Sequence, residues 1–123
     1  MIKRIENYVF HKDDRGTFKG LVNFGKWEEL NIVSSNEGTI RGNHYHKETV
    51  ELFIILEGEI KVVTQKVINQ RLDKNASENI VKKGDIFLID PMINHTFYIN
   101  KKSRWMNLLS KRMNPHNPDI NKV

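Results

Sequence analysis

Apolar positions along the 123-residue chain come in short runs rich in Val, Ile and Phe, each bounded by Gly, Asn, Asp or Lys. That is the signature of strands separated by turns. The runs are IENYVF, GTFKGLV, LNIVSS, VELFIIL, EIKVVTQKVI, ENIV, DIFLID, HTFYI and RWMNLLS. They recur at roughly ten-residue intervals, which predicts an all-β sandwich or barrel rather than alternating βα units. VELFIIL is apolar on both faces except at Glu51, so it is expected in the middle of a barrel wall. GKWEELN alone carries a helical pattern, for a turn or two. EGE at 57–59 and KKGD at 82–85 predict glycine turns. NQRLDKNASEN, 69–79, is polar and predicts an exposed hairpin loop. Residues 111–123, punctuated by Pro115 and Pro118, predict an extended tail, frayed or draped on a partner subunit.

Length changes this picture little, since 123 residues make one domain, 1–123, with room for one core. Charge bears on partners. The formal net charge of +5 favours anionic ligands. The basic residues are scattered, and no recognition motif with interleaved aromatics accompanies them, so nucleic acid is not an expected partner. No apolar run approaches the roughly 20 residues of a membrane helix, and the start does not read as a signal peptide, so no membrane partner and a cytoplasmic location are expected. Cysteine is absent, which removes disulfides, thiolate nucleophiles and sulfur metal ligands.

Candidate chemistry concentrates in RGNHYHKETVE, 41–51. His44 and His46 are two apart, so on a strand both leave the same face. Glu51 lies an odd step beyond His46 and would face the other way on one continuous strand. A turn at KETV must reset the parity if Glu51 is to head the next strand and share the histidines' space. His95, heading HTFYI, supplies a further nitrogen. Three His and one Glu suit a divalent transition metal, zinc before iron, manganese, nickel or copper, and such a set leaves room for water or substrate. His11 and His116 stand in polar surroundings and are read as solvated. Trp27 and Trp105 are read as packing residues.

From Gly38 to Gly58, GTIRGNHYHKETVELFIILEG resembles the first cupin motif position for position. GDIFLIDPMINHTFYIN, 84–100, resembles the second, without the usual glycine after the proline and with Pro91 and His95 one residue closer than is common. The resemblance implies a small single-domain cupin, a double-stranded β-helix or jelly-roll barrel with its site in the mouth. Three further pieces, DDRGTF at 13–18, RGNHYHK at 41–47 and DPMINH at 90–95, resemble the cupins that remodel nucleotide-linked 4-keto-6-deoxy sugars. Among these are the dTDP-4-dehydrorhamnose 3,5-epimerases and dTDP-sugar 3,4-ketoisomerases. RGNHYH, the downstream Glu and the ending NPDI are most similar to the C-terminal cupin domain of bifunctional capsule-sugar epimerase/reductases. The ketoisomerase pattern carries Gln near Glu51 and no metal, whereas this chain keeps the whole ligand set.

What the resemblance implies is an isomerase, an epimerase or ketoisomerase of a nucleotide-diphosphate sugar in surface-polysaccharide synthesis. Arg15 and Arg41 would meet the diphosphate. A separate reductase or transferase would complete the pathway, and the N-terminal strand IKRIENYVF would be exchanged in a homodimer. A 4-keto group acidifies the neighbouring C–H bonds, so one base and one electrophile suffice. A histidine nitrogen cannot hold a metal and take a proton with one lone pair. With His44, His46, Glu51 and His95 as ligands, the base would be Tyr45, Tyr98, Lys61 or a metal-bound hydroxide. Without a metal, His44 or His46 is the base and Glu51 orients an imidazole. Two other classes share these residues: a binding module without turnover, and an iron-dependent dioxygenase.

Overall fold

The structure, a computed structural model, describes residues 1–123 and contains nine strands and no helix. In chain order these are β1 (Lys3–Ile5), β2 (Val9–Asp13), β3 (Gly16–Gly20), β4 (Glu29–Ser35), β5 (Ile40–His44), β6 (Glu51–Ile68), β7 (Arg71–Lys82), β8 (Ile86–Ile89) and β9 (Ile93–Leu109). The long strands β6 and β9 run antiparallel along their whole length. Around them the order is β1-β8-β6-β9-β4, with β5 on the first part of β9 and β7 on the second part of β6. Register shifts between Ile55 and Ile60 bend the β6–β9 ribbon at Gly58, whose φ of 96° suits glycine. EGE is therefore a bulge inside one 18-residue strand rather than a turn between two. The KKGD turn is present, with Gly84 at φ 94° leading from β7 to β8.

Bending wraps the sheet around one core of Phe53, Ile55, Ile60, Val62, Val81, Phe87, Ile89, Phe97, Ile99 and Trp105. The alternate residues of β6, Leu52 and Ile54, are buried on the opposite face beneath Leu21, Val22 and Trp27. VELFIIL is apolar on both faces because both are covered. Aromatic rings fill the inside: Phe53 stacks on Phe87 at 5.0 Å, and Phe97 lies 5.6 Å from Trp105. Burying one such ring stabilises the fold by about 1.5–3 kcal/mol. Trp27 and Trp105 are packing residues, as their surroundings in the sequence suggested.

Three further sequence expectations are corrected. GKWEELN forms no helix: its first residues pack Trp27 onto the outer cluster, and from Glu29 its backbone pairs with Leu109 and Leu108 of β9. NQRLDKNASEN is mostly strand β7, paired along β6; only Asn69 and Gln70 turn, both at positive φ (51° and 64°), as a two-residue hairpin turn requires. The tail is not frayed, for residues 119–121 fold back on Tyr45–Thr49 of the same chain.

Hairpin β2–β3 forms a separate two-stranded sheet. It carries Phe10 and Phe18 to the surface, and its tip holds Arg15. Strand β1 pairs with β8 of its own chain.

Candidate functional site

His44 ends β5, where it faces His95 of β9 across the ladder. A bulge between Gly42 and His44, with Gly42 at φ 86° and Asn43 at φ 58°, turns the imidazole inward. Asn43 Oδ1 accepts from Asn94 Nδ2 at 3.3 Å, which ties the bulge to β9. A side chain at 42 has no room, because its Cβ would lie 2.7 Å from the His95 carbonyl oxygen. Gly42→Ala is therefore expected to cost about 1–2 kcal/mol from the left-handed backbone alone, with the clash added. Melting temperature and zinc uptake, measured on one sample, should fall together.

After His44 the strand direction holds for two more residues, so Tyr45 points away and His46 points in. The chain then turns through Lys47–Val50, and Glu51 opens β6. That turn is the parity reset the spacing demanded. His44, His46, Glu51 and His95 place one ligand atom each within 4.8 Å of all the others. The ring centroids of His44 lie 5.1 Å from His46 and 4.8 Å from His95.

Three of the four donors are locked by their outer partners. His46 Nδ1 faces the backbone carbonyl of Asp119, and His95 Nδ1 that of Ile93 at 3.2 Å. A carbonyl only accepts, so each Nδ1 carries the proton and each Nε2 turns its lone pair to the centre. Glu51 Oε2 accepts from Asn107 Nδ2 at 2.8 Å, which leaves Oε1 facing His46 Nε2 and, at 3.4 Å, His95 Nε2. His44 makes no hydrogen bond through its ring.

The electrostatics follow from burial among these neighbours. Burial, helped by the charges of His95 and His46, pushes His44 down to about 4, so its lone pair is free at neutral pH. For His46 burial opposes charge, but the hydrogen bond to Glu51, that carboxylate's charge and the Asp119 carbonyl outweigh it and raise the pKa. Burial would raise Glu51, yet His46 and His95 hold it well below the carboxylate range. Asp119 sits at about 2: partial burial opposes ionisation, and the N–H groups of Lys47 and Glu48 with the Thr49 hydroxyl prevail.

This arrangement fits a cation. Fixed tautomers leave several lone pairs and a carboxylate aimed at one point, a repulsive set unless a proton or a metal ion lies among them. The donors are nitrogen and oxygen in the proportions transition metals take.

Beside the cluster lies a cavity of about 230 Å³, lined by Arg41, His44, Glu51 and His95 and floored by Phe53, Phe97 and Trp105. Arg41 stands at its edge; Nε donates to Ser35 Oγ at 2.8 Å and Nη2 to the Ser34 carbonyl at 3.1 Å. Other sequence candidates lie elsewhere. Tyr45 is buried under the tail, where its backbone bridges Asn121. Lys61 and Tyr98 pair across β6 and β9 on the outer wall, with Lys61 Nζ 4.8 Å from the ring centre, so neither reaches the cavity. Arg15 is bound to Asp13 at 2.6 Å on the exposed hairpin and lines a different concavity. His11 and His116 are exposed, as read from the sequence.

Sequence reasoning missed Asn107, Asp119 and Asn121. Asn107 shares the inward parity of Trp105 and Leu109, so a lone polar residue at that step was a readable signal. NPDI stood out only as an ending, with no role attached.

A curled all-β sheet with a His-x-His pair, a Glu and a distant His converging beside a cavity defines a cupin. The chain belongs to the family described as Polysaccharide biosynthesis C-terminal domain, which matches residues 11–118. Similar solved structures include the capsular polysaccharide assembling protein CapF from Staphylococcus aureus, with 21% identity over 94% of this chain and 34% of that one, at a TM-score of 0.68. A 3,4-ketoisomerase from Helicobacter canadensis shares 18% identity over 99% of this chain and 90% of that one, at 0.78. A dTDP-4-dehydrorhamnose 3,5-epimerase from Sulfolobus tokodaii shares 18% over 87% and 69%, at 0.72. The chain thus spans about a third of CapF. No curated protein matches it. No helix is long and apolar enough to cross a membrane.

Proposed function

We propose that this chain is a metal-binding isomerase that moves a proton next to the keto group of a nucleotide-linked 4-keto-6-deoxyhexose in surface-polysaccharide synthesis. The observation that carries the reading is the convergence of three imidazoles and one carboxylate on a cavity with a guanidinium at its edge. Sugar epimerases and 3,4-ketoisomerases among the similar structures support it. At about 230 Å³ the cavity is smaller than the roughly 300–1,000 Å³ of a pocket for a drug-sized ligand. It suits one sugar ring, with the nucleotide lying across the rim.

His46, Glu51 and His95, whose orientations the chain fixes, form the permanent part of the donor set. His44 is the exchangeable member, a fourth ligand whose ring lines the cavity and lacks a hydrogen-bond partner. When not serving as a ligand, a ring nitrogen of His44 takes the proton from the carbon beside the keto group. A solvent-derived proton added to the same carbon from the opposite face gives an epimer; a proton added to the former keto carbon, with loss of the hydroxyl proton on the first carbon, gives the isomeric ketone. A divalent transition metal such as zinc, when bound, would supply a Lewis acid for the charge developing on the keto oxygen. The apolar floor keeps water from the carbanionic carbon, and Arg41 offers its free N–H groups to a phosphate. With Tyr45, Tyr98 and Lys61 outside the cavity, the proton step falls to the cluster itself. Exchange of the carbon-bound hydrogen with D₂O solvent tests the reading: deuterium at a carbon beside the keto group supports it, and its absence counts against it.

Proton and metal compete at His46. Because that group's pKa is raised, its proton is fully present below the ordinary imidazole range and lost as pH rises. Zinc affinity is therefore expected to keep climbing with pH above the ordinary imidazole range, with a proton released on binding, as titration with a competing indicator at several pH values would show.

Arg15 enters the proposal through a homodimer. Phe10 and Phe18, exposed on opposite faces of a hairpin that pairs with no other strand, offer apolar surface to a second copy. Light scattering should give twice 14.5 kDa, and a monomeric mass would remove both the dimer and this place for Arg15. A separate reductase or transferase would share the substrate, and a nucleotide-linked substrate places the chain in the cytoplasm.

A further inference from the structure

We propose that Asp119, through its backbone carbonyl, is a positioning residue for His46, so that the C-terminal segment 117–121 is part of the site. The inference rests on reading the histidine and glutamate cluster as a metal site.

The tail has almost no regular structure, yet its end is fastened on both sides of His46. Asp119 Oδ1 accepts from Lys47 N at 2.8 Å. Its Oδ2 accepts from Glu48 N at 2.9 Å, Thr49 N at 3.1 Å and Thr49 Oγ1 at 2.9 Å. One carboxylate thereby caps the whole turn that resets the strand between His46 and Glu51. On the other side, Asn121 N donates to the Tyr45 carbonyl and Tyr45 N to the Asn121 carbonyl, each at 2.9 Å. Asn121 Nδ2 joins Asp119 Oδ1 at 3.1 Å and the Tyr45 carbonyl at 3.3 Å.

Between those two anchors the Asp119 carbonyl has little freedom, and it meets His46 Nδ1. That contact decides two things. It selects the tautomer with the proton on Nδ1 and the lone pair on Nε2, and it fixes the ring's rotation toward Glu51. His95 obtains the same service from Ile93, two residues away on its own strand. His46 lies two residues beyond the end of β5 with no such neighbour and draws its carbonyl from 73 residues along the chain. Asp119 touches neither the cavity nor, in this arrangement, a substrate.

Removing such an outer partner lowers metal affinity by roughly 10–100-fold. The test measures zinc affinity by competition with a chromophoric chelator at fixed pH for the full chain, Asp119→Ala and Asp119→Asn. Long-range ¹H–¹⁵N spectra of the imidazoles are recorded on the same samples. The expected result is a drop of that size for Asp119→Ala, a smaller one for Asp119→Asn, which keeps one acceptor for the turn, and loss of the single His46 tautomer in Asp119→Ala. Equal zinc affinity and an unchanged His46 spectrum in Asp119→Ala would overturn the proposal. If Asp119→Ala does not fold, Asn121→Ala, which removes the side-chain bonds to Asp119 Oδ1 and the Tyr45 carbonyl, must show the same spectral change or the proposal fails. If the unaltered chain takes no zinc, the metal reading falls. Positioning is then judged on metal-free protein: a slowly exchanging Nδ1 proton on His46 that Asp119→Ala abolishes sustains it, and an indifferent one ends it.

Discussion

Glu51→Ala protein is expected to leave purification nearly free of transition metal and to lose essentially all turnover. Glu51 is the one anionic donor in the cluster, and Asn107 and the two imidazoles already hold it in place. Loss of an outer partner alone costs a metal site roughly 10–100-fold, and loss of the charged ligand should cost more. The fold should survive. His46 can shed its proton once Glu51 is gone and keep its bond to Asp119, so no buried charge is stranded. Metal content by plasma mass spectrometry, on protein purified without a metal-binding tag, checks this; undiminished metal in the variant would remove Glu51 from the donor set.

His46→Ala is the more damaging change to stability. It leaves Glu51, only 5% exposed, without its nearest counter-charge. Breaking a buried pair from one side costs about 3–5 kcal/mol, or a fall of roughly 10–20 °C in Tm for a chain of this size. The pH dependence carries a sign. Stranded by burial, Glu51 would have a raised pKa, so the deficit is greatest at neutral pH and shrinks as acid protonates it. Unfolding of variant and parent at pH 7 and pH 5 measures the difference. The same variant separates catalysis from mere binding: an isomerase loses turnover while nucleotide binding at Arg41 partly survives, and a binding module has no turnover to lose.

Much of the site was legible because it obeys strand parity. His44 and His46 share a face by their spacing, Glu51 does not, and the demand for a turn between them is met at Lys47–Val50. VELFIIL announced a strand covered on both sides. The first part of β7, Arg71–Ser77, was illegible for the opposite reason: most of its residues are exposed, so no alternation marks it, and it is a strand because β6 offers a ladder, whereas ENIV at its far end read as a strand. GKWEELN has helical spacing, but pairing with β9 and the seat of Trp27 decide its backbone. Asp119 was hidden more deeply, since it acts on His46 through a carbonyl that every residue possesses, across a distance along the chain that no local pattern spans. The bases proposed from sequence, Tyr45, Tyr98 and Lys61, failed to reach the cavity on parity too, each pointing away from the face that carries the histidines or His95.

Exchange of carbon-bound hydrogen with solvent distinguishes an isomerase from a cupin that only binds its sugar. Zinc-loaded protein is incubated in D₂O with a UDP-linked and a dTDP-linked 4-keto-6-deoxyhexose, and the sugars are read by mass spectrometry and NMR. Deuterium is expected at a carbon adjacent to the keto group in at least one of them, abolished by Glu51→Ala. Absence of deuterium from both sugars, with protein that holds zinc and binds the nucleotide, would contradict it.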